Sequence, residues 1–108
     1  MQATTIDETT LDAFAEQAAA AVRLLRLLGN EHRLMIACLL IVHGELSVGQ
    51  LVEELRLSQS ALSQHLARMR EDGVLTFRRE AQTLYYSVKD PNAVAVIGLL
   101  KQLYCKDL

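Results

Sequence analysis

The sequence lacks any apolar run long enough to cross a membrane and any recognisable secretion signal. Its longest uninterrupted apolar run, Leu34–Val42, has nine residues, whereas a membrane-spanning helix needs roughly 18–20. The first twelve residues contain no basic side chain and no apolar stretch of the kind that signal peptides carry. These absences argue against a membrane or secreted protein, so we expect the chain in the cytoplasm, with no membrane partner.

Cysteine is scarce, and its spacing excludes the commonest thiol motifs. The chain has two cysteines, Cys38 and Cys105, and their separation excludes the C-x-x-C pattern of zinc sites and thioredoxin-like proteins. A reducing cytosol also disfavours a permanent structural disulfide. Composition therefore leaves two interpretations open: the thiols are buried apolar groups, as most free cysteines are, or they are redox-active.

A positive net charge, common in nucleic-acid-binding proteins, is also missing. The formal net charge is −2 over 108 residues, with 51% hydrophobic and 22% charged residues, which indicates one globular domain. The charge is uneven, however. Residues 1–46 carry three Arg and six acidic residues, residues 47–89 carry six basic and five acidic ones, and residues 55–70 contain no acid. Because local potential governs phosphate binding, one face of an acidic chain can still bind DNA.

What the sequence does have is a regular succession of capped helical segments. The predicted N-caps are Thr9 with Asp12, Asn30, Ser47 with Gln50, Ser58, and Asp90 before Pro91; the predicted helix-ending glycines are Gly29, Gly44 and Gly73. The second helix is apolar all round from Leu34 to Val42, so we expect it to be buried on every side. Two alternating segments, Leu75–Arg79 and Leu84–Val88, predict a β-hairpin before the last helix.

The predicted fold is therefore mainly α, with four helices, a small β-hairpin and a fifth helix. The short helix from Ser47, the break at Arg56–Leu57 and the helix from Ser58 predict a helix-turn-helix over residues 47–72, with the hairpin at 74–88 as its wing. We expect residues 9–108 to form this single DNA-binding and dimerisation domain, after a flexible N-terminus at residues 1–8.

The predicted DNA-binding surface combines one face of the fourth helix with the tip of the wing. Leu62, Leu66 and Met69 recur at helical spacing and are expected to face the core. Small, amide or basic side chains suited to base edges and phosphates occupy the rest of the helix: Ser58, Gln59, Ser60, Ser63, Gln64, His65 and Arg68. Of these, His65 borders the apolar stripe and either packs or hydrogen-bonds a phosphate. The predicted wing contacts are Arg78, Arg79, Gln82 and Thr83.

Two segments resemble the ArsR family of winged-helix repressors. They are ELSVGQLVEELRLSQSALSQHLARMREDGVL at Glu45–Leu75 and REAQTLYYSV at Arg79–Val88, and the likeness extends from about Leu24 to Cys105. The resemblance implies a bacterial, nucleoid-associated homodimer. Such a dimer would pair through its first and last helices and bind a pseudo-palindromic, double-stranded DNA operator.

Many members of that family sense metals, but the residues of both usual sites differ here. Where one site has ELCVCDL this chain has ELSVGQL, so Ser47 and Gly49 replace the thiolates that bind Zn²⁺ or As(III). The other site has the pattern Asp-x-His, and here Asn92 occupies the histidine position two residues after Asp90. No histidine occurs after His65. We therefore expect neither a metal nor another cofactor.

The cysteines resemble those of the family's thiol-based branch. The match rests on RLMIACLL at Arg33–Leu40, which contains Cys38, and on LYC, which ends at Cys105. This resemblance implies that the two thiols react with persulfide or polysulfide, forming a disulfide or sulfur-bridged link that weakens DNA binding. The alternatives are a metal-responsive or constitutive regulator of the same fold and, from another class, a thiol oxidoreductase or a protein-interaction module. An enzyme is not expected, because no catalytic constellation is recognisable.

Overall fold

The computed structural model describes residues 7–105, which form five α-helices and three short β-strands. The helices are α1 (Glu8–Leu28), α2 (Glu31–His43), α3 (Val48–Leu55), α4 (Gln59–Glu71) and α5 (Pro91–Tyr104). The strands are β1 (Leu46–Ser47), β2 (Leu75–Glu80) and β3 (Thr83–Val88). The predicted order of four helices, a hairpin and a fifth helix is confirmed, and a short strand before α3 is added to it.

Polar side chains begin four of the helices where the sequence predicts them. Asn30, Ser47, Ser58 and Asp90 each accept a hydrogen bond from a backbone N–H two or three residues later. These N–H groups have no partner inside the helix, so each cap satisfies a donor that would otherwise need water.

The start of α1 differs from the predicted one. The helix is capped by Asp7, whose Oδ1 accepts a hydrogen bond from the Thr10 backbone N–H at 2.8 Å. The predicted capping box at Thr9 and Asp12 is therefore wrong. The Asp7 carboxylate, two residues before Thr9, provides the cap instead, and the positive N-terminal end of the helix dipole stabilises its negative charge. Consequently Glu8 is already helical, while residues 1–6 of the predicted flexible N-terminus lie outside the described residues.

The junction between α1 and α2 is held by Arg33. Between the two helices lie only Gly29 and Asn30. The Arg33 Nε donates a hydrogen bond to the Leu27 carbonyl at 2.6 Å, and a terminal guanidinium nitrogen donates one to the Arg26 carbonyl at 3.3 Å. Both carbonyls belong to the last turn of α1, where helical N–H partners run out. One side chain therefore satisfies these carbonyls and joins α2 to the end of α1.

The three strands form a small antiparallel sheet in the order β1-β3-β2. β2 and β3 form the predicted hairpin, and each strand is one residue longer at the turn than predicted. β1 pairs with β3 through Leu46 with Tyr86 and Ser47 with Tyr85. This strand is not predicted from the sequence, because two residues carry no recognisable alternating pattern.

The core lies where the end of α1, the helices α2, α3, α4 and α5, and the sheet meet. Its fully buried side chains are Leu27, Ile36, Leu40, Leu51, Leu62, Leu66, Met69, Val74, Leu75 and Ile97. The three α4 residues expected to face the core are confirmed by this set. However, Met35 and Val42 in α2 expose 46% and 55% of their surface. The expectation that α2 is buried on every side is therefore wrong. Apolar side chains surround this helix, and the other elements of a single chain cover only part of that apolar surface.

α1 and α5 leave much apolar surface uncovered. In α1 only Leu27 and Leu28 are buried. The exposed large apolar side chains of the two helices are Leu11, Phe14, Val22, Leu25, Val94, Leu99, Leu103 and Tyr104. So much clustered apolar surface is uncommon on soluble monomers and is typical of interaction sites. Within residues 7–105, no helix has the length and hydrophobicity to span a bilayer.

Candidate DNA-binding surface and cysteine pair

A tight turn positions α4 relative to α3. α3 begins with a reciprocal capping box, in which Ser47 Oγ accepts the Gln50 N–H at 3.2 Å and Gln50 Oε1 accepts the Ser47 N–H at 2.9 Å. It ends at Arg56, whose backbone is left-handed with a φ of 56°. Ser58 Oγ then accepts the Ala61 N–H at 3.1 Å to begin α4. The short turn and its caps are typical of a helix-turn-helix.

α4 has one buried face and one face in solvent. The predicted DNA-contacting residues on this helix that are exposed are Ser58, Gln59, Ser60, Ser63, Gln64 and Arg68. Arg68 forms an ion pair with Asp72, one turn later, at 3.7 Å. Exposed pairs of this kind contribute little free energy, so Arg68 can exchange this partner for a phosphate at low cost. The helix thus presents hydroxyl, amide and guanidinium groups together, the chemistry that base edges and phosphates require.

His65 lies at the edge of that exposed face and packs against α2. Its ring centroid is 5.7 Å from that of His32, in the first turn of α2, and the residue is half-buried. Burial lowers the pKa of His65, and the charges of Arg33 and His32 lower it further. A lowered pKa keeps the ring neutral at physiological pH. The geometry shows that His65 packs against α2, and the predicted hydrogen bond from its ring to a phosphate stays a prediction.

A groove of about 680 Å³ separates α4 from the wing. The polar residues that line it are Ser47, Gln59, Ser63, Arg70, Gln82, Thr83 and Tyr86. The helix face and the wing tip, which the sequence predicts as separate contacts, therefore border one depression. Arg70 is not among the DNA-contacting residues that the sequence predicts. Its guanidinium carbon lies 4.5 Å from the centroid of the Phe77 ring in β2, a cation–π contact that joins α4 to the wing.

The two arginines of the wing have different surroundings. The Arg78 guanidinium contacts both carboxylate oxygens of Glu45, at 2.6 Å for the shortest distance, and Glu80 Oε2 at 2.9 Å. It also lies 4.5 Å from the centroid of the Tyr85 ring. The hydrogen bond from Arg78 lowers the pKa of Glu45, and the same contact raises the pKa of Arg78. Arg79 is exposed and forms no ion pair with any residue of the described chain.

The two predicted redox cysteines come from distant parts of the sequence and are both free thiols. Cys38 lies half-buried in α2, whereas Cys105 is exposed directly after α5. Burial raises the pKa of the Cys38 thiol, and the nearby Cys105 raises it further, while Lys101 acts in the opposite direction. An electrostatic effect of this kind falls with distance, so the fold brings the two thiols into the same neighbourhood.

Comparison with known proteins identifies this arrangement. The profile of the bacterial regulatory proteins of the arsR family matches residues 30–76, from the end of the α1–α2 junction into β2. The chain is 49% identical over 96 residues to the transcriptional activator HlyU of Vibrio cholerae, an overlap of 89% of this chain and 88% of that protein. The chain belongs to the ArsR family.

Solved structures support the same assignment for this ArsR-family protein. Reduced HlyU from Vibrio cholerae matches with a TM-score of 0.82 at 49% identity, over 86% of this chain and 97% of that one. The transcriptional repressor BigR from Xylella fastidiosa matches with a TM-score of 0.75 at 31% identity, over 93% and 98%. Our ArsR-family chain is thus a winged-helix, DNA-binding transcriptional regulator, and its relatives are regulators, not enzymes.

Possible metal-binding side chains can be examined over the part of this ArsR-family chain that the structure describes. Among residues 7–105, no three His, Cys, Asp or Glu side chains come together to hold a metal ion. Ser47 and Asp90, which stand at the two usual metal sites, both serve as helix caps. That the protein uses no metal or other cofactor stays a prediction.

Proposed function

We propose that this chain is a homodimeric repressor whose operator binding is relieved when Cys38 and Cys105 react with persulfide, polysulfide or a related oxidant. The observation that carries the proposal is the pair of free thiols, on α2 and after α5, of which Cys105 lies close enough to Cys38 to raise the pKa of the Cys38 thiol. One of the solved relatives is HlyU from Vibrio cholerae in its reduced form, so the redox state of that protein is a defined variable.

The exposed apolar faces of α1 and α5 support the dimer. They lie outside the winged helix-turn-helix and are exposed to solvent among residues 7–105 of a single chain. A second copy would bury them by the same contacts on both subunits, as two-fold symmetric dimers do. Two α4 helices would then contact successive major grooves, which are about 34–36 Å apart on DNA.

Within each subunit, the exposed face of α4 would supply base contacts. Ser60, Ser63 and Gln64 would contact base edges, because hydroxyl and amide groups are short enough to enter the major groove. Ser58 and Gln59 lie at the helix N-terminus, where free N–H groups favour a phosphate. Arg68 and the wing residues Gln82 and Thr83 would position the helix through the DNA backbone.

The thiol chemistry balances without an added oxidant when the inducer is a persulfide. A cysteine thiolate attacks the outer sulfur of RS–SH, forms a protein persulfide and releases RS⁻. The second thiolate then attacks the inner sulfur of the protein persulfide, forming a disulfide and releasing HS⁻. Cys105 would react first, because it is exposed, whereas burial raises the pKa of Cys38 and reduces its thiolate fraction.

A link between the two cysteines would join the core to the proposed dimer contact. Cys38 lies on the helix whose neighbours Ile36, Ala37 and Leu40 pack in the core, and Cys105 ends α5. Drawing α5 toward α2 would move the partner subunit relative to the core. Because the operator fixes the spacing of the two α4 helices, a small shift in that spacing would weaken binding.

The test measures binding to a duplex that the untreated protein selects from a random-sequence library. Persulfide should weaken binding, reductant should restore it, and intact mass should show a disulfide or a gain of whole sulfur atoms. C38S and C105S should bind DNA but lose the response, whereas Q102S, which introduces the same hydroxyl at an exposed position of α5, should keep it. A full response in either cysteine variant would refute the two-thiol switch.

The alternative functions predict different results in the same assay. A metal-responsive regulator would bind Zn²⁺ stoichiometrically and change its DNA affinity on chelation. A constitutive regulator would respond to neither treatment. A thiol oxidoreductase or protein-interaction module would select no sequence from the library and show no salt-sensitive DNA binding.

A further inference from the structure

We propose that Arg78 positions the wing and does not contact DNA, and that Arg79 is the phosphate-binding arginine of the wing. The two residues are adjacent in β2, and the sequence alone predicts the same role for both. This inference rests on the operator binding proposed above and is independent of the cysteine switch.

Strand register places the two arginines on opposite faces of the sheet. Across the hairpin, Arg78 pairs with Tyr85 and Arg79 pairs with Leu84. Because side chains alternate along a strand, Arg79 shares the face of Leu84, which lines the groove beside α4. Arg78 shares the opposite face with the Tyr85 ring. Arg79 therefore lies on the side of the wing that borders the proposed DNA-binding groove, and Arg78 does not.

On its own face, Arg78 reaches across the whole sheet. In the order β1-β3-β2, its side chain starts in β2, lies over Tyr85 in β3 and binds Glu45, which directly precedes β1. The guanidinium holds both oxygens of the carboxylate, the geometry of the stronger arginine–carboxylate pairs. Glu45 lies two residues before Ser47, the N-cap of α3. We call Glu45, Arg78 and Tyr85 the strap, because they tie the wing to the start of the helix-turn-helix.

The charge around Arg78 also disfavours a phosphate contact. Its guanidinium is bonded to two carboxylates, those of Glu45 and Glu80, so the cluster has a net charge of −1. A phosphate that approached this cluster would be repelled. Arg79 has no carboxylate partner within residues 7–105, and its full positive charge is available to DNA.

The strap matters because a hairpin alone is poorly ordered. An isolated two-stranded hairpin is marginally stable at best, and the wing tip at Ala81–Gln82 projects beyond β1. By holding β2 and β3 against the segment before α3, the strap would fix the distance between the tip and α4. Arg78 would thus favour DNA binding indirectly, by presenting Arg79, Gln82 and Thr83 in one geometry.

The decisive variant is E45Q, which removes no positive charge from the wing. We would compare full-length E45Q, R78Q and the double variant on the selected duplex, well below their melting temperatures. If Arg78 positions the wing, each single variant should reduce the affinity for the duplex by about fivefold for each wing of the dimer. The double variant should then bind no more weakly than either single variant. If Arg78 contacted phosphate, releasing it from Glu45 would tighten binding, and that result would overturn the proposal.

Salt dependence separates the two arginines directly. Each lost phosphate contact reduces the slope of log affinity against log salt by about 0.9. For a dimer with two wings, R79Q should reduce the slope by about 1.8, whereas R78Q and E45Q should leave it unchanged. An equal reduction for R78Q, or unchanged affinity in E45Q, would overturn the inference. E45Q and R79Q keep the test decisive if R78Q fails to fold. Absence of any binding by the parent protein would instead overturn the proposed function.

Discussion

The winged helix-turn-helix buries its apolar residues within the chain, whereas α1 exposes most of its own. Leu51 and Leu62 are 0% exposed, while Phe14 and Leu25 are 60% and 59% exposed. All four occur at helical spacing in amphipathic segments, so their sequence patterns look alike. The difference shows that periodicity identifies the apolar face of a helix but not the surface that covers it.

The largest effect that would test this comparison is expected from a charge on the exposed face of α1. Phe14→Glu should convert the proposed dimer to a monomer, because a carboxylate would be buried without a partner. Operator affinity should then fall by about a hundredfold or more, since the two half-sites no longer bind together. Light scattering measures the mass, and fluorescence anisotropy measures the affinity.

The matched control is Ala13→Glu, which places the same carboxylate on the adjacent residue, about 100° around the helix from Phe14. Ala13 is also exposed in the single chain, so both variants should fold. Ala13→Glu should remain a dimer with unchanged affinity. A dimeric Phe14→Glu variant would show that α1 is not the covered face.

A smaller effect is expected in the core of the winged helix-turn-helix. Leu62→Ala should reduce the free energy of unfolding by about 2–5 kcal/mol, because it leaves a cavity at a fully buried position. The neighbouring Ser63→Ala should change stability by no more than about 0.5 kcal/mol yet weaken operator binding. Urea unfolding measures the first effect and anisotropy the second. Equal stability losses in the two variants would contradict the assignment of α4 faces.

The smallest of these effects is expected at the start of α4. Ser58→Ala removes the side chain that accepts the Ala61 N–H and should reduce stability by about 1 kcal/mol. Ser60 lies 3.3 Å from Ser58 through their hydroxyl oxygens but caps no backbone group. Ser60→Ala should therefore leave the melting temperature nearly unchanged. A larger loss for Ser60→Ala would show that the cap is assigned to the wrong serine.

Local rules were sufficient to predict most of the fold. The caps at Asn30, Ser47, Ser58 and Asp90 depend on side chains and N–H groups within three residues of each other, so the sequence displays them directly. The hairpin is equally local, since its strands are joined by a two-residue turn. These features place the exposed face of α4 and the wing tip correctly, and with them most of the candidate DNA-binding surface.

The features that the sequence did not reveal depend on contacts between distant residues. Glu45 and Arg78 are 33 residues apart, and no spacing rule connects a loop carboxylate to a strand guanidinium. β1 exists only because β3 returns beside it. The partial exposure of Met35 and Val42 follows from how much surface one copy of the chain can cover. The sequence likewise predicts one role for Arg78 and Arg79, because it does not show their pairing with β3, which places the two side chains on opposite faces of the sheet.

The Arg33 contacts at the end of α1 have a mechanical consequence. With 21 residues, α1 is about 31 Å long, and its two buried side chains, Leu27 and Leu28, both lie in its last turn. A rigid-body movement of α1 would have its pivot at this last turn, beside the Leu27 and Arg26 carbonyls that Arg33 contacts. A tilt of about 5° at that pivot would displace the far end by about 3 Å. The contacts of Arg33, together with the buried Leu27 and Leu28, would thus determine the alignment of the exposed apolar surface at the far end of α1.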